Sequence, residues 1–321
     1  MKILTRSLIV ILSLFLVNPS YGDIIGNAED VSPETSYGVM MIGGGIDVDE
    51  AFKWMAKKAG HGDFVVITIK ESQMGSYDEY IYSFGVDSVE NILIDSTEKA
   101  NSDELIAKIL KAEAIFIPGG SQINYINLWK NTKLIKTLEH LLLIKKIPIG
   151  GTSAGMAIMG EFYFAPVDDM EYDPLQTPIR DGLGKDFIHI NLFKGIITDT
   201  HYDNRKRQGR HVAFMALLKE MFDLPCIKGI GIDEDTALCI DEDGTAEVHG
   251  EGSAYFHVTE NNPECCEQDK PLHWDKNNKA IKTYVAGRGN KFDLKKWNGT
   301  GGCWKYFYVL EGKLGCIDLA I

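Results

Sequence analysis

The chain has 321 residues, 46 of them acidic and 33 basic, for a formal charge of -13. That length can bury a large core as one domain or one domain with an appendage. The acidity argues against nucleic acid or an anionic membrane as a partner. A basic start, Met1-Lys2 to Arg6, precedes an apolar run over 8–17 and the small residues Ser20 and Gly22. This is the pattern of a signal peptide over 1–22, cleaved near Gly22-Asp23, and it predicts an exported protein, periplasmic or extracellular. Cleavage removes Lys2 and Arg6 and no acid, taking the formal charge to -15.

From residue 37 to 241, short apolar runs alternate with helical patterns. Strands are expected over 37–42, 64–69, 91–94, 114–117, 147–150, 195–199 and 230–232, with helices over 48–59, 103–110 and 132–144. Leu134, Ile135, Leu138, Leu141 and Leu142 make an apolar stripe on the last of these. Such alternation predicts an α/β fold, a mainly parallel, doubly wound sheet with helices on both faces. Residues 162–187 read as a proline-broken acidic excursion, a lid over a site at the strand ends. From Thr236 the pattern turns β-rich, with Asp243-Gly244 as a hairpin signal and 260–304 polar and irregular. The expected division is therefore an α/β domain over 23–241 and a β-rich extension over 242–321 packed on the same domain. Cys226, Cys239, Cys265, Cys266, Cys303 and Cys316 all lie in the last third. In an oxidising compartment the preferred bridge is Cys265 or Cys266 to Cys303. Their spacing does not suit zinc, and nothing calls for a metal or an organic cofactor. Asn298-Gly299-Thr300 is a glycosylation sequon in a host that glycosylates.

The chemistry concentrates at strand ends. Gly151-Thr152-Ser153-Ala154-Gly155 follows an apolar strand and precedes a helical pattern, the sequence of a nucleophile elbow. Small flanking residues are needed where a serine takes strained backbone angles, and the N–H of Ala154 is placed to hold an oxyanion. The run 196–200 delivers His201 to a strand end, as a base for Ser153 requires. Gly229-Ile230-Gly231-Ile232 ends in Asp233, Glu234 and Asp235, any of which could orient an imidazole. In Pro118-Gly119-Gly120-Ser121-Gln122, Gly120 N–H is a second candidate oxyanion donor and Ser121 a helix cap. Gly43-Gly44-Gly45 lacks the spacing of a dinucleotide-binding loop. Arg205, Arg207 and Arg210 follow the histidine, and their forked guanidinium groups suit substrate carboxylates. If these three belong to a helix, Arg207 and Arg210 share a face and Arg205 turns aside.

Taken together, these motifs resemble the cyanophycinase-like serine peptidases, relatives of the aspartyl dipeptidases with a class I glutamine amidotransferase-like fold. The resemblance spans most of 37–241. It rests on Ile42-Gly43-Gly44, the 118–122 loop, the Ser153 elbow, Asp199-Thr200-His201-Tyr202 with the three arginines, and 229–234. It implies Ser153 as nucleophile, His201 as general base and acid, and Glu234, among the three acids, as the orienting carboxylate. Gln122, Asp199, Arg205, Arg207 and Arg210 would correspond to substrate-pocket positions. Members of the family release β-aspartyl-arginine dipeptides from cyanophycin. This chain departs from them in having Asp199-Thr200-His201-Tyr202 where Asp-Gln-His-Phe is usual, and Asp203-Asn204 where Ser-Gln is usual. The expected function is an exported serine exopeptidase acting on aspartyl or β-aspartyl peptides, with a peptide substrate as partner. Nucleic acid and stable membrane insertion are not expected, and a homodimer is left open. The competing readings are an exported esterase or lipase with the same elbow, and a non-catalytic binder of acidic peptides. An α/β-hydrolase order of Ser, Asp, His does not fit His201 preceding Glu234.

Overall fold

Short β-branched runs separated by amphipathic helices form two sheets in the computed structural model, which describes residues 22, 24–167 and 173–319. Residues 1–21 of the expected signal segment, and Asp168, Asp169 and Glu171 of the excursion, lie outside the described residues. The strands are β1 (Ile25–Gly26), β2 (Gly38–Ile42), β3 (Asp63–Thr68), β4 (Ser88–Leu93), β5 (Ala114–Ile117) and β6 (Pro148–Thr152). Then come β7 (Phe162–Phe164), β8 (Leu183–Lys185), β9 (Ile196–Asp199), β10 (Ile227–Ile232), β11 (Thr236–Asp241) and β12 (Thr245–Gly250). Last are β13 (Ala254–Thr259), β14 (Ile281–Ala286), β15 (Lys291–Asp293), β16 (Asn298–Thr300), β17 (Cys303–Leu310) and β18 (Lys313–Asp318).

The first sheet has the order β1-β4-β3-β5-β6-β2-β11-β12-β15-β16. Its central strands β4, β3, β5, β6 and β2 run parallel. Side chains alternate across it, as a period of two requires. Val39, Met41, Val65, Ile67, Ile115 and Ile117 pack under Leu105, Ile109, Trp129, Leu134 and Leu138 on one face. Met40, Ile42, Phe64, Val66 and Phe116 pack with Phe52 and Met55 of the helix Asp49–Lys58 on the other. Both faces are therefore covered, which buries the parallel core. The stripe beginning at Leu134 is core, as its spacing predicts. Its helix Lys133–His140 continues as a π-turn over Leu141–Lys145 and ends where Lys146 turns left-handed at φ 63°.

The second sheet has the order β18-β17-β14-β13-β10-β9-β7-β8. It takes β9 and β10, which pair in parallel, while β13 flanks β10 antiparallel. The chain crosses from one sheet to the other between β10 and β11, through Asp233-Glu234-Asp235. Residues 242–319 extend both sheets. The stretch 260–304, expected to be irregular, contains β14, β15, β16 and the start of β17. β15 and β16 have three residues each, and only single charges such as Lys282 of β14 and Lys291 of β15 mark the exposed positions, too little to show a period. Packing between the two sheets helps hold these strands, as where Phe256 of β13 stacks on Phe292 of β15 with ring centroids 3.8 Å apart.

The expected bridge between Cys265 or Cys266 and Cys303 is not formed, and all six cysteines are free. Cys266 is buried in an apolar cluster with Leu272 and Trp274, whereas Cys303 opens to solvent at the start of β17. Tertiary packing has separated residues that composition alone made plausible partners.

Candidate active site

β6 runs out at Thr152, and Ser153 adopts φ 49°, ψ -117° before the short helix Ala154–Ala157. This strained corner lifts the hydroxyl off the end of the parallel sheet. Ser153 N–H donates to the Ile42 carbonyl at 3.0 Å, which ties the corner to the end of β2. His201 follows β9 in the second sheet and is also left-handed, with φ 47°. Glu234 lies on the crossing between the sheets. Three strand ends from two sheets thus converge on one point.

The loop after β2 joins them. Gly43 carbonyl accepts the His201 N–H and Gly44 carbonyl accepts the Asp235 N–H, both at 2.8 Å. Gly44 has φ 103°, and a Cβ there would overlap the His201 imidazole. Only glycine allows the backbone this close to the ring. Gly43 and Gly44 are therefore a support for the histidine, while Gly45 lies against Asp235 and Glu234.

Ser153 Oγ lies 2.7 Å from His201 Nε2, and His201 Nδ1 lies 2.5 Å from Glu234 Oε1. The other two acids are occupied elsewhere. Asp233 accepts the backbone N–H groups of Asp203 and Ser253, each at 2.9 Å, and Asp235 accepts that of Ile46 at 2.5 Å. Burial holds the His201 imidazole below its ordinary pKa, the hydrogen bond to Glu234 opposes this, and the Arg205 and Arg207 charges reinforce it. At neutral pH the ring is a free base, ready to accept a proton.

Gly120, Gln122, Ala154, Arg205 and Arg207 line a cleft of about 280 Å³ beside Ser153 and His201. Ser121 faces it too, and its side chain makes no cap on the helix Gln122–Trp129. Arg205 and Arg207 sit in a turn, not on a helix; only Arg210 belongs to the helix Gln208–Phe222. Arg205 is half exposed, with Nε 3.8 Å from Glu234. Asp199 and Arg210 are placed differently from the cleft residues. Asp199 is buried, and Arg210 grips it through two hydrogen bonds, with Nε to Oδ2 at 2.8 Å. Burial alone would raise the Asp199 carboxyl, but Arg210, backed by Arg207, holds it below the usual carboxylate range. Arg207 Nη1 donates to the Thr200 carbonyl at 2.9 Å, and burial brings its pKa down to about 10. The Asp199 ion pair thus braces the floor beneath the arginines.

Behind His201 lies a polar chain that motif reading did not find. His211 Nε2 lies 3.3 Å from the Ile197 carbonyl and His211 Nδ1 3.0 Å from Tyr202 Oη. Tyr202 Oη is 2.7 Å from His257 Nε2, and His257 Nδ1 2.8 Å from Thr283 Oγ1. One assignment satisfies every group. His211 donates to the carbonyl and accepts from Tyr202, whose oxygen accepts from His257, which in turn accepts from Thr283. Both histidines are fully buried, and burial holds each below its ordinary pKa, His211 at about 4. The available signal was Gly229 and Gly231 on alternate positions of β10. A Cβ at either would collide with His211 or Tyr202.

Comparison with known proteins agrees with this architecture. The profile of peptidase family S51 matches residues 72–248, more than half of the chain. A cyanophycinase of Synechococcus elongatus is 30% identical over 247 residues, covering 70% of this chain and 73% of that protein. A cyanophycinase of Trichormus variabilis is 25% identical over 224 residues, covering 68% and 70%. Among solved structures, a peptidase from an acI-B1 Actinobacterium superposes with a TM-score of 0.53 at 15% identity, covering 81% of this chain and 98% of its own; it supports the fold. The chain belongs to peptidase family S51 and is a serine-type peptidase.

Proposed function

We propose that this peptidase is an exported exopeptidase for aspartyl or β-aspartyl peptides, cyanophycin among them, working through Ser153, His201 and Glu234. The observation that carries the reading is the continuous hydrogen-bonded relay from Ser153 Oγ through both imidazole nitrogens to Glu234. His201 Nε2 takes the hydroxyl proton as Ser153 attacks the amide carbonyl. Glu234 stabilises the imidazolium, and the N–H groups of Gly120 and Ala154 hold the oxyanion. The imidazolium then protonates the leaving amine, and water releases the acyl group by the same relay. Gln122, Arg205 and Arg207 bind the substrate's carboxylates, with Asp199 and Arg210 fixing the arginine floor. The relatives named cyanophycinase support the substrate class.

The test is incubation of the mature protein with cyanophycin and matched β- and α-aspartyl peptides, read by mass spectrometry, with Ser153→Ala as control. Release of β-aspartyl-arginine by the wild type alone is the expected outcome. Cleavage of other aspartyl peptides only would remove cyanophycin from the reading, and full activity in Ser153→Ala would remove the triad. Export rests on the sequence of 1–22, and N-terminal sequencing of fractionated protein checks it: an intact Met1 in the cytoplasm would overturn it.

A further inference from the structure

The Gly119-Gly120 peptide lies against the nucleophile, since a Cβ on Gly119 would sit 3.4 Å from Ser153 Cβ. Two glycines in succession leave such a peptide free to turn over, because neither carries a Cβ to resist it. If it turned, a carbonyl oxygen would face the cleft in place of the Gly120 N–H, and a developing oxyanion would meet repulsion. Something must set its direction, and the structure contains a clamp. Gln73 Nε2 donates to the Gly119 carbonyl at 2.8 Å, and Tyr125 Oη lies 3.3 Å from the same oxygen and 2.9 Å from the Pro118 carbonyl. Gln73 is itself oriented, because Thr68 Oγ1 at the end of β3 donates to its Oε1 at 2.8 Å. That bond leaves the amide nitrogen, and not its oxygen, to face Gly119. In a trans peptide the C=O of one residue and the N–H of the next point in opposite directions. Holding the Gly119 oxygen on the side of β3 therefore turns the Gly120 N–H toward the cleft.

We propose that Gln73, steadied by Thr68, is a positioning residue that sets the polarity of the oxyanion loop of this peptidase. The inference rests on the reading of Ser153 as nucleophile and Gly120 as oxyanion donor. It goes beyond that reading in assigning a role to a residue on a separate element, the 3-10 turn Glu71–Gln73.

The experiment uses a fluorophosphonate probe, so that it does not depend on the peptide substrate. Ser153 Oγ forms a bond to phosphorus as fluoride leaves, and the phosphoryl oxygen occupies the oxyanion position. Labelling rates are compared for wild type, Ser153→Ala, Gln73→Met and Gln73→Glu, with kcat and KM on any cleaved peptide. Loss of a whole oxyanion donor costs about 10²–10³ in rate, so loss of its clamp should cost roughly ten-fold or more. Gln73→Met should label at least about ten-fold more slowly, with kcat lowered in step and KM within about two-fold of wild type. Gln73→Glu should be slow when ionised and recover relative to wild type as the pH falls, because a protonated carboxyl can again donate to Gly119. A purely structural residue would not give that pH-dependent rescue. Unchanged labelling in Gln73→Met, or a loss confined to KM, overturns the clamp while leaving Ser153 in place. A wild type that is not labelled removes the nucleophile assignment and the clamp with it.

Discussion

Tyr202→Phe deletes one oxygen from the buried chain behind His201 and tests whether that chain is directional. Without the hydroxyl, His211 Nδ1 loses its donor and His257 Nε2–H loses its acceptor. Both rings are fully buried, so water does not replace the lost partner. Each stranded group costs about 1–3 kcal/mol, and the two together about 2–6 kcal/mol. In a chain of this size that should lower Tm by at least about 3 °C. His201 should stay in place, because its own N–H remains bonded to Gly43 and the Tyr202 N–H to Ile232. The expected outcome is a substantial loss of stability in urea unfolding with kcat of the folded protein near wild type. A stability change under about 0.5 kcal/mol would refute the assignment of donors and acceptors along the chain. The hydroxyl is the one link between the two buried histidines in this chain of bonds.

The pH–rate profile should show activity persisting below pH 6.5, the ordinary imidazole value, because His201 is held below it. Arg205→Gln removes a charge that lowers the His201 pKa, so its acid limb in kcat should move upward; an unchanged or lower limb would contradict the electrostatic account. Gly44→Ala should cost ~10²-fold in kcat by displacing the imidazole with Ser153 intact, and a crystal structure with His201 unmoved would falsify the reasoning. Arg210→Met leaves the buried Asp199 carboxylate with the more distant Arg207 as its ion-pair partner and the Thr200 N–H as a donor, which should destabilise the protein by up to about 3–5 kcal/mol in urea unfolding. A loss under about 1 kcal/mol would show that Asp199 is not charged in the fold.

Local chemistry was enough to place the parallel core and the serine elbow. Strand runs such as 114–117, the helix stripe from Leu134, and the elbow around Ser153 depend on period and on small residues at a sharp turn, and both are written along the chain. The same holds for His201, whose position after a buried run marks a strand end. Pairing is different, because a buried apolar run reads alike in either sheet. Only the tertiary structure decided that β9 and β10 leave the first sheet and that the relay spans the seam between two. The family resemblance had singled out Glu234 among three consecutive acids, and the fold supplies the reason, since Asp233 and Asp235 are drawn off by backbone N–H groups far away in sequence. The fate of the arginines was equally non-local: Asp199 gathers Arg207 and Arg210 while Arg205 is left toward Glu234. Gln73 carries no motif, and the Tyr202 chain left only the spaced glycines Gly229 and Gly231, because a hydrogen bond between distant residues leaves little trace in the sequence. What proximity along the chain governs was legible from the residues, and what depends on contacts closed across it had to wait for the fold.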